Sequence, residues 1–389
     1  MRYVSLFSGA GGLEARGIAP ALCCDIDEPA RELLARRFPD AEIVSDVRDV
    51  QFRGADVVVG GWPCQDISVA GKRDGLRGER SGLFYELLRV ARESRATTIV
   101  AENVPNLLTM ESGLAMLEVL RALEESGFPF TAWRTLNARA FGLPHQRRRI
   151  FLVASRDPAV PPRLHRKLPR RRSLDAMSET VGSYYTTAGL HSICYSEGYT
   201  PTLKVGSSLS IPSPPGVYFR GITRKLTANE CLRLQGFKPG PFRSLADKDK
   251  YRLAGNAVAV PAGQFAVATA QHTGDVEVMV TSHSRFGPNG MYDRGKITEV
   301  AELSAPTLAV NLSDFIDTNL TVPLSEKAAS GLLNRLAQSG KPCPPGLLMA
   351  LCKSAGLDEI PDTIASAAEN GTRRRPRTRT TAPTSETMF

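Results

Sequence analysis

Tyr3-Val4-Ser5-Leu6-Phe7-Ser8-Gly9-Ala10-Gly11-Gly12-Leu13-Glu14 reads as an apolar strand that breaks into a glycine turn. Glycines in such a turn let the backbone take positive φ and approach a ligand closely at the rim of an open sheet. A dinucleotide site would carry a third glycine at residue 14, where helix and strand pack beside a pyrophosphate. Glu14 places a carboxylate there instead. The turn therefore suits a ligand without phosphate, which disfavours an oxidoreductase of the dinucleotide type.

Outward from this turn, Tyr3 to Phe7, Ala21 to Cys24, Ala55 to Val59 and Thr98 to Ala101 are short apolar runs separated by helical patterns. That alternation predicts an α/β fold with a doubly wound, mostly parallel sheet. Asp27 is expected to cap a helix with Pro29 in its first turn and Ala30, Leu33, Leu34 and Arg37-Phe38 in its buried stripe. Leu114, Leu117 and Leu120 mark another helix. Thr131 to Asn137 and Arg149 to Ala154 are predicted as further strands of the same sheet.

Periodicity fades from 155 to 222 into Pro, Arg, Tyr, Ser and Gly, so a small irregular domain is expected there. Helical patterns return at Thr227 to Leu234 and after Pro261, which assigns 1–154 and 223–273 to the large domain. Residues 274–360 read as an α+β extension, with a strand at Val276 to Val280 and a capped helix at Ser325 to Leu336. Residues 361–389, with Arg373, Arg374, Arg375, Arg377 and Arg379, read as a disordered basic tail.

Lys and Arg outnumber Asp and Glu by 49 to 40 in 389 residues, a balance that suits a polyanionic partner. Much of the excess crowds at Arg163, Arg166, Lys167, Arg170, Arg171 and Arg172. Seven cysteines without a Cys-x-x-Cys pair argue against a disulfide framework and a structural zinc site, and no metal is expected. Met1 to Phe7 passes straight into the glycine turn, leaving no room for a signal peptide, and no apolar stretch is long enough for a membrane span. The chain reads as intracellular.

Chemistry-bearing residues fall at the predicted strand ends. Asp25 follows the second strand, placed to accept from ribose hydroxyls, and Asp46 is placed to face an adenine amine, although either could simply cap a helix. Gly60-Gly61-Trp62-Pro63-Cys64-Gln65-Asp66-Ile67-Ser68 puts a thiol in a tight turn beyond a strand, unlike Cys23, Cys24 and Cys231, which read as small buried hydrophobes. Glu102-Asn103-Val104 ends the next strand, giving a carboxyl on the same sheet edge if the two strands are neighbours. In Pro144-His145-Gln146-Arg147-Arg148-Arg149-Ile150, Arg147 and Arg149 point to one face and Arg148 to the other.

Together these motifs resemble the DNA cytosine-5 methyltransferases, in that family's order, over residues 3 to 272. Arg224 to Thr227 with Gln235-Gly236-Phe237, and Gly255-Asn256-Ala257-Val258, are similar to its ninth and tenth motifs. His145 departs, standing where the family commonly has Gln.

The resemblance implies S-adenosyl-L-methionine as cofactor, held by Phe7, Ser8, Gly9, Ala10, Gly11, Gly12, Asp25, Ile26, Asp46, Val47, Pro63, Leu83, Asn256 and Val258. It implies Cys64 as the nucleophile, Glu102 at cytosine nitrogen 3, Arg149 at the O2 carbonyl and Arg147 holding Glu102. Duplex DNA is the implied partner, with Gln65, Ser68, Lys72, Arg73, Arg77, Arg80, Thr202 and Leu203 in contact and 155–222 as target-recognition domain. A cognate restriction endonuclease, a monomeric state and a cytoplasmic, nucleoid-associated location are expected with it. Methylation of tRNA and a non-catalytic DNA-binding module are the alternatives.

Overall fold

Tyr3–Leu6 (β1), Leu22–Cys24 (β2), Glu42–Val44 (β3), Val57–Gly60 (β4) and Thr98–Asn103 (β5) run parallel, in the spatial order β3-β2-β1-β4-β5. They belong to a computed structural model that describes residues 1–14, 19–63, 82–168, 181–185, 194–205, 214–271, 274, 276, 280–281, 286–301, 311–320, 322–339 and 343–361. Because β1 lies between β2 and β4, the chain order reverses beside it. The carboxyl ends of β1 and β4 therefore open a crevice, the usual ligand position in a doubly wound fold.

Alternation along the strands builds two cores. Val4, Leu6, Val58 and Ile99 face Leu87 and Leu88 of α2 (Gly82–Glu93) and Val119 and Leu120 of α3 (Leu114–Glu125). Tyr3, Val57, Val59 and Val100 face the opposite way, toward Phe265 and Ala266 of α6 (Val260–Val267). A third cluster joins Ala30 and Leu33 of α1 (Glu28–Arg37) to α4 (Ala228–Leu234) and α5 (Asp247–Asn256).

The parallel reading holds for this half of the sheet only. Phe130–Asn137 (β6) and Arg148–Ser155 (β7) are linked by a connection too short for a crossover, so they pair antiparallel, and β7 inserts between β5 and β6. The C-terminal region adds more. Val280–Thr281 (β12), Asn289–Asp293 (β13) and Lys296–Val300 (β14) extend the same sheet through pairing of β13 with β6. Residues read as a separate extension thus complete the central sheet, while most of the strand expected at Val276 to Val280 lies outside the described residues.

Residues 155–222 are more regular than their composition suggests. Gly182–Tyr185 (β8), Cys194–Glu197 (β9), Gly216–Phe219 (β10) and Ile222–Lys225 (β11) form an antiparallel sheet in the order β11-β10-β8-β9. Gly182 and Gly216 carry no Cβ because the rings of Tyr218 and Tyr184 lie over them, each tyrosine covering the glycine directly opposite. Those rings pack against Leu332, Leu347 and Leu351 of α7 (Glu326–Ser339) and α8 (Pro345–Ser354), and Val217 and Phe219 face the third cluster. This second sheet is covered on both faces.

Three local expectations change. The Asp27 carboxylate does not cap α1 with a hydrogen bond, since it pairs with Arg252 on α5. Leu114 is exposed, and the buried face of α3 is built on Ala115, Met116, Val119, Leu120 and Leu123. Arg166, counted in the basic cluster, stacks 3.7 Å above the Phe265 ring and bonds to Thr269, so it serves packing. Arg170, Arg171, Arg172 and 361–389, apart from Pro361, lie outside the described residues. Among the described residues, no single helix is long and apolar enough to cross a membrane.

Candidate active site

The glycine turn leaves β1 under backbone constraint, with Phe7 at φ 53° and Gly9 at φ 52°. Asp25, at the end of β2, accepts from Gly9 N at 2.7 Å and Asp27 N at 2.9 Å, tying the turn to the start of α1. Gly12 abuts the other wall: a Cβ there would stand 2.4 Å from the Val258 carbonyl oxygen. Gly9 differs, because its Cβ would meet nothing and would occupy open space.

That space belongs to a cavity of about 730 Å³, within the range of about 300–1,000 Å³ usual for small-molecule sites. Phe7, Ser8, Gly9, Gly12, Asp25, Ile26, Asp46 and Val47 line it, with Pro63, Leu83, Asn256 and Val258 closing the wall. Two expected residues do not. Ala10 is buried in the third cluster, and Gly11 faces Arg37, which donates to the Ala10 and Gly11 carbonyls from beneath the turn. Glu14 also turns inward, accepting from Ser5 Oγ at 2.9 Å, so its carboxylate is part of the support and not of the ligand face. Asp46 combines both readings, since it lines the cavity and also caps the turn Val47–Asp49 through Arg48 N at 2.9 Å.

The same cavity continues to Glu102, Asn103, Val104, Arg147 and Arg149. β4 and β5 are neighbours, so Gly60-Gly61-Trp62-Pro63 and Glu102 do leave one edge together. Asn103 Nδ2 donates to the Trp62 carbonyl at 3.2 Å, fixing the turn that leads into residue 64. Gly61 makes room for the carboxyl, as a Cβ there would lie 3.0 Å from Glu102 Oε2.

Glu102 is buried, which raises its pKa above the ordinary glutamate range against the opposing pull of Arg149 and then Arg147. Its direct partner is Arg149, with Nε 3.0 Å from Oε1. Arg147, expected in that role, instead donates to the carbonyls of Leu203 at 3.3 Å and Asn256 at 3.4 Å. Burial and the neighbouring Arg149 lower the Arg147 pKa to about 9, still cationic at neutral pH.

Leu203 does not present its side chain to a ligand: it is buried, and its backbone is held from two sides. Thr202 Oγ1 donates to the Gln146 carbonyl at 2.5 Å. Cys64, Gln65, Ser68, Lys72, Arg73, Arg77 and Arg80 lie outside the described residues. Arg252 escaped the sequence reading. It lines the cavity and bridges Asp27 and Asp249, and its position one helical turn before Asn256 was the available signal.

The family model for C-5 cytosine-specific DNA methylases matches residues 1–192. The type II methyltransferase M2.BsuMI of Bacillus subtilis (strain 168) is 31% identical over 366 residues, covering 87% of this chain and 94% of that protein. The chain belongs to the DNA cytosine-5 methyltransferase family. Another relative, the type II methyltransferase M.HhaI of Haemophilus parahaemolyticus, is 25% identical over 304 residues, 68% of this chain and 92% of that one. Entamoeba histolytica EhMeth and S. pombe Dnmt2 share the fold, each with a TM-score of 0.51 and 16% identity, covering 69% and 68% of this chain and 97% and 96% of theirs.

As a DNA cytosine-5 methyltransferase, the protein acts on cytosine in DNA and takes the methyl group from S-adenosylmethionine. The cavity fits that donor. The empty quarter in front of Gly9 admits a ligand where any side chain would intrude, and the Asp25 and Asp46 carboxylates with the Phe7 ring suit a cationic, hydroxyl-bearing molecule.

Proposed function

We propose that the enzyme methylates carbon 5 of a cytosine swung out of duplex DNA, through a covalent bond between Cys64 and carbon 6. The observation that carries this is one continuous cavity shared by the cofactor residues, by Pro63 next to Cys64, and by Glu102, Arg147 and Arg149.

Carbon 5 of cytosine is a poor nucleophile until a thiolate adds to carbon 6. An ordinary thiol, with a pKa of about 8.5, is only slightly ionised at neutral pH, so the cations Arg147 and Arg149 favour the Cys64 thiolate. Addition pushes negative charge onto the ring. Glu102, whose hold on a proton is strengthened by burial, donates at nitrogen 3, and the guanidinium groups stabilise charge at O2. Arg149 also orients the Glu102 carboxyl through its ion pair. S-adenosylmethionine, when bound, supplies the electrophilic methyl that carbon 5 accepts. Transfer of the carbon 5 proton to a water molecule, with the carbon 6–sulfur bond pair leaving on the Cys64 thiolate, then restores the aromatic ring.

None of these atoms can be reached within a stacked duplex, so flipping the base costs on the order of a few kcal/mol. By sequence alone, the four basic side chains of residues 68–81, which lie outside the described residues, are assigned to DNA contact, and the sheet β8–β11 with its connections to target recognition. A cognate endonuclease accords with the type II designation of the relatives.

The test is incubation with a long duplex synthesised with 5-fluorodeoxycytidine, whose carbon 5 cannot release its substituent. A denaturation-resistant protein–DNA adduct is expected for the native chain and none for Cys64→Ala. An adduct that survives the substitution would exclude the mechanism.

A further inference from the structure

His145 is completely buried at the turn that precedes β7. Its Nε2 accepts from Leu203 N at 3.0 Å, so Nε2 is unprotonated and the ring proton sits on Nδ1. Leu203 O accepts from Arg147 at 3.3 Å. Both backbone groups of one residue are thus gripped by side chains two positions apart on another segment.

The surroundings leave residue 203 little freedom. Thr200 N donates to the Pro144 carbonyl and Gln146 N to the Thr200 carbonyl, each at 2.8 Å, so 144–146 and 200–203 are stitched side by side. On the other side Gly255 admits the peptide after residue 204, since a Cβ there would stand 2.7 Å from Lys204 C and Val205 N. The Arg147 guanidinium lines the cavity with the Leu203 carbonyl as one anchor and the Asn256 carbonyl as the other.

We propose that His145 is a positioning residue for the target base: by holding the Leu203 N–H, it fixes the Leu203 carbonyl as the stop against which Arg147 is set. The inference rests on Arg147 acting as a base-site cation. A leucine at 145 fills the space but leaves the buried Leu203 N–H without an acceptor, which lets the Leu203 peptide shift while the backbone bonds of Thr200 and Gln146 hold the rest of the strip. A glutamine supplies an amide oxygen in place of Nε2 and retains the grip.

The full chain carrying His145→Leu or His145→Gln is compared with the native chain by single-turnover tritiated methyl transfer onto unmethylated genomic DNA, and by calorimetry with S-adenosylhomocysteine. His145→Leu should lower the methyl-transfer rate by about tenfold to a hundredfold, equivalent to one buried donor left unpaired. Its S-adenosylhomocysteine affinity should stay within about twofold, and His145→Gln should recover a rate within about threefold of native. A native rate in His145→Leu, a loss of ligand binding together with rate, or failure of glutamine to rescue would each overturn the proposal. Adduct formation by the native chain on the fluorinated duplex reports separately on the underlying mechanism, so the two ideas fail on different readouts.

Discussion

Arg149 Nε lies 3.0 Å from Glu102 Oε1, joining two strands that run in opposite directions. Glu102 belongs to β5 and Arg149 to β7, whose pairing places Asn103 against Ile150. The ion pair sits at the cavity wall, at the end of the β5–β7 ladder, with Glu102 itself paired to Phe151. Burial acts on the carboxyl more strongly than this cation does, so the group is held in its acid form beyond the pH at which a free glutamate ionises.

A pH dependence follows with a definite sign. The protonated carboxyl is the form that donates to nitrogen 3, so the contribution of Glu102 is full at low pH and is lost as pH rises through its raised value. Arg149→Gln removes the larger of the two lowering charges and should move that value further up. A carbon-13 NMR titration of the Glu102 carboxyl should place the native midpoint above the ordinary glutamate value and the variant midpoint higher still. A variant midpoint below the native one would contradict this account.

Two glycines of the first turn should fail in different ways. Alanine at Gly9 meets open space but must adopt φ near 52°, a strain of about 1–2 kcal/mol, and its methyl projects into the cofactor cavity. Alanine at Gly12 collides with backbone, at 2.4 Å from Val258 O. Differential scanning fluorimetry should show the larger loss of Tm for Gly12→Ala. Calorimetry should show Gly9→Ala as a folded protein with weakened S-adenosylmethionine binding.

Arg252 spans the rim between α5 and the start of α1 through Asp249 and Asp27. Since Asp27 N–H and Gly9 N–H share the Asp25 carboxylate, loosening this bridge should be felt by the cofactor. Arg252→Ala and Asp27→Asn should each raise KM for S-adenosylmethionine by about threefold to tenfold, modest because the pair is partly exposed. The double variant should be no worse than either single one, and steady-state kinetics with kcat spared would establish it.

The C-terminal helices should matter for stability. Leu351 of α8 is fully buried over the Tyr184 and Tyr218 rings. Leu351→Ala should cost about 2–5 kcal/mol in urea unfolding. A value under about 1 kcal/mol would show that the helices add little to the sheet they cover.

Much of this architecture is written in local sequence. The strands β1, β2, β4, β5, β6 and β7 are short apolar runs bounded by turn residues, and the capping box of Thr227 and Glu230 marks the start of α4. β3 escaped because Glu42-Ile43-Val44 is brief and only half-buried. The hairpin β13–β14 did carry a signal: Arg294 and Gly295 both take positive φ between the paired Asp293 and Lys296, a two-residue turn of the kind that suits hairpins. Its attachment to β6 did not, because pairing between segments over 150 residues apart leaves no periodic trace in either.

The site divides the same way. The cofactor turn and the carboxyl at the end of β5 follow from strand-end placement, and twelve of the expected cofactor positions line the cavity. Partner choice was not legible. Arg147 and Arg149 look equivalent on an alternating strand, and only the approach of Leu203 and Asn256 from distant segments gives Arg147 carbonyl partners while Arg149 takes Glu102. Arg252 and Asp27 lie 225 residues apart, beyond any local pattern.

The sheet β8–β11 has leucines of α7 and α8 on one side and the large domain on the other. With target recognition assigned to this sheet as proposed, transplanting sequence preference between such enzymes calls for a discontinuous graft. Moving residues 155–222 alone would strip Tyr184 and Tyr218 of their cover, whereas carrying 322–361 along would transfer the strands together with their roof.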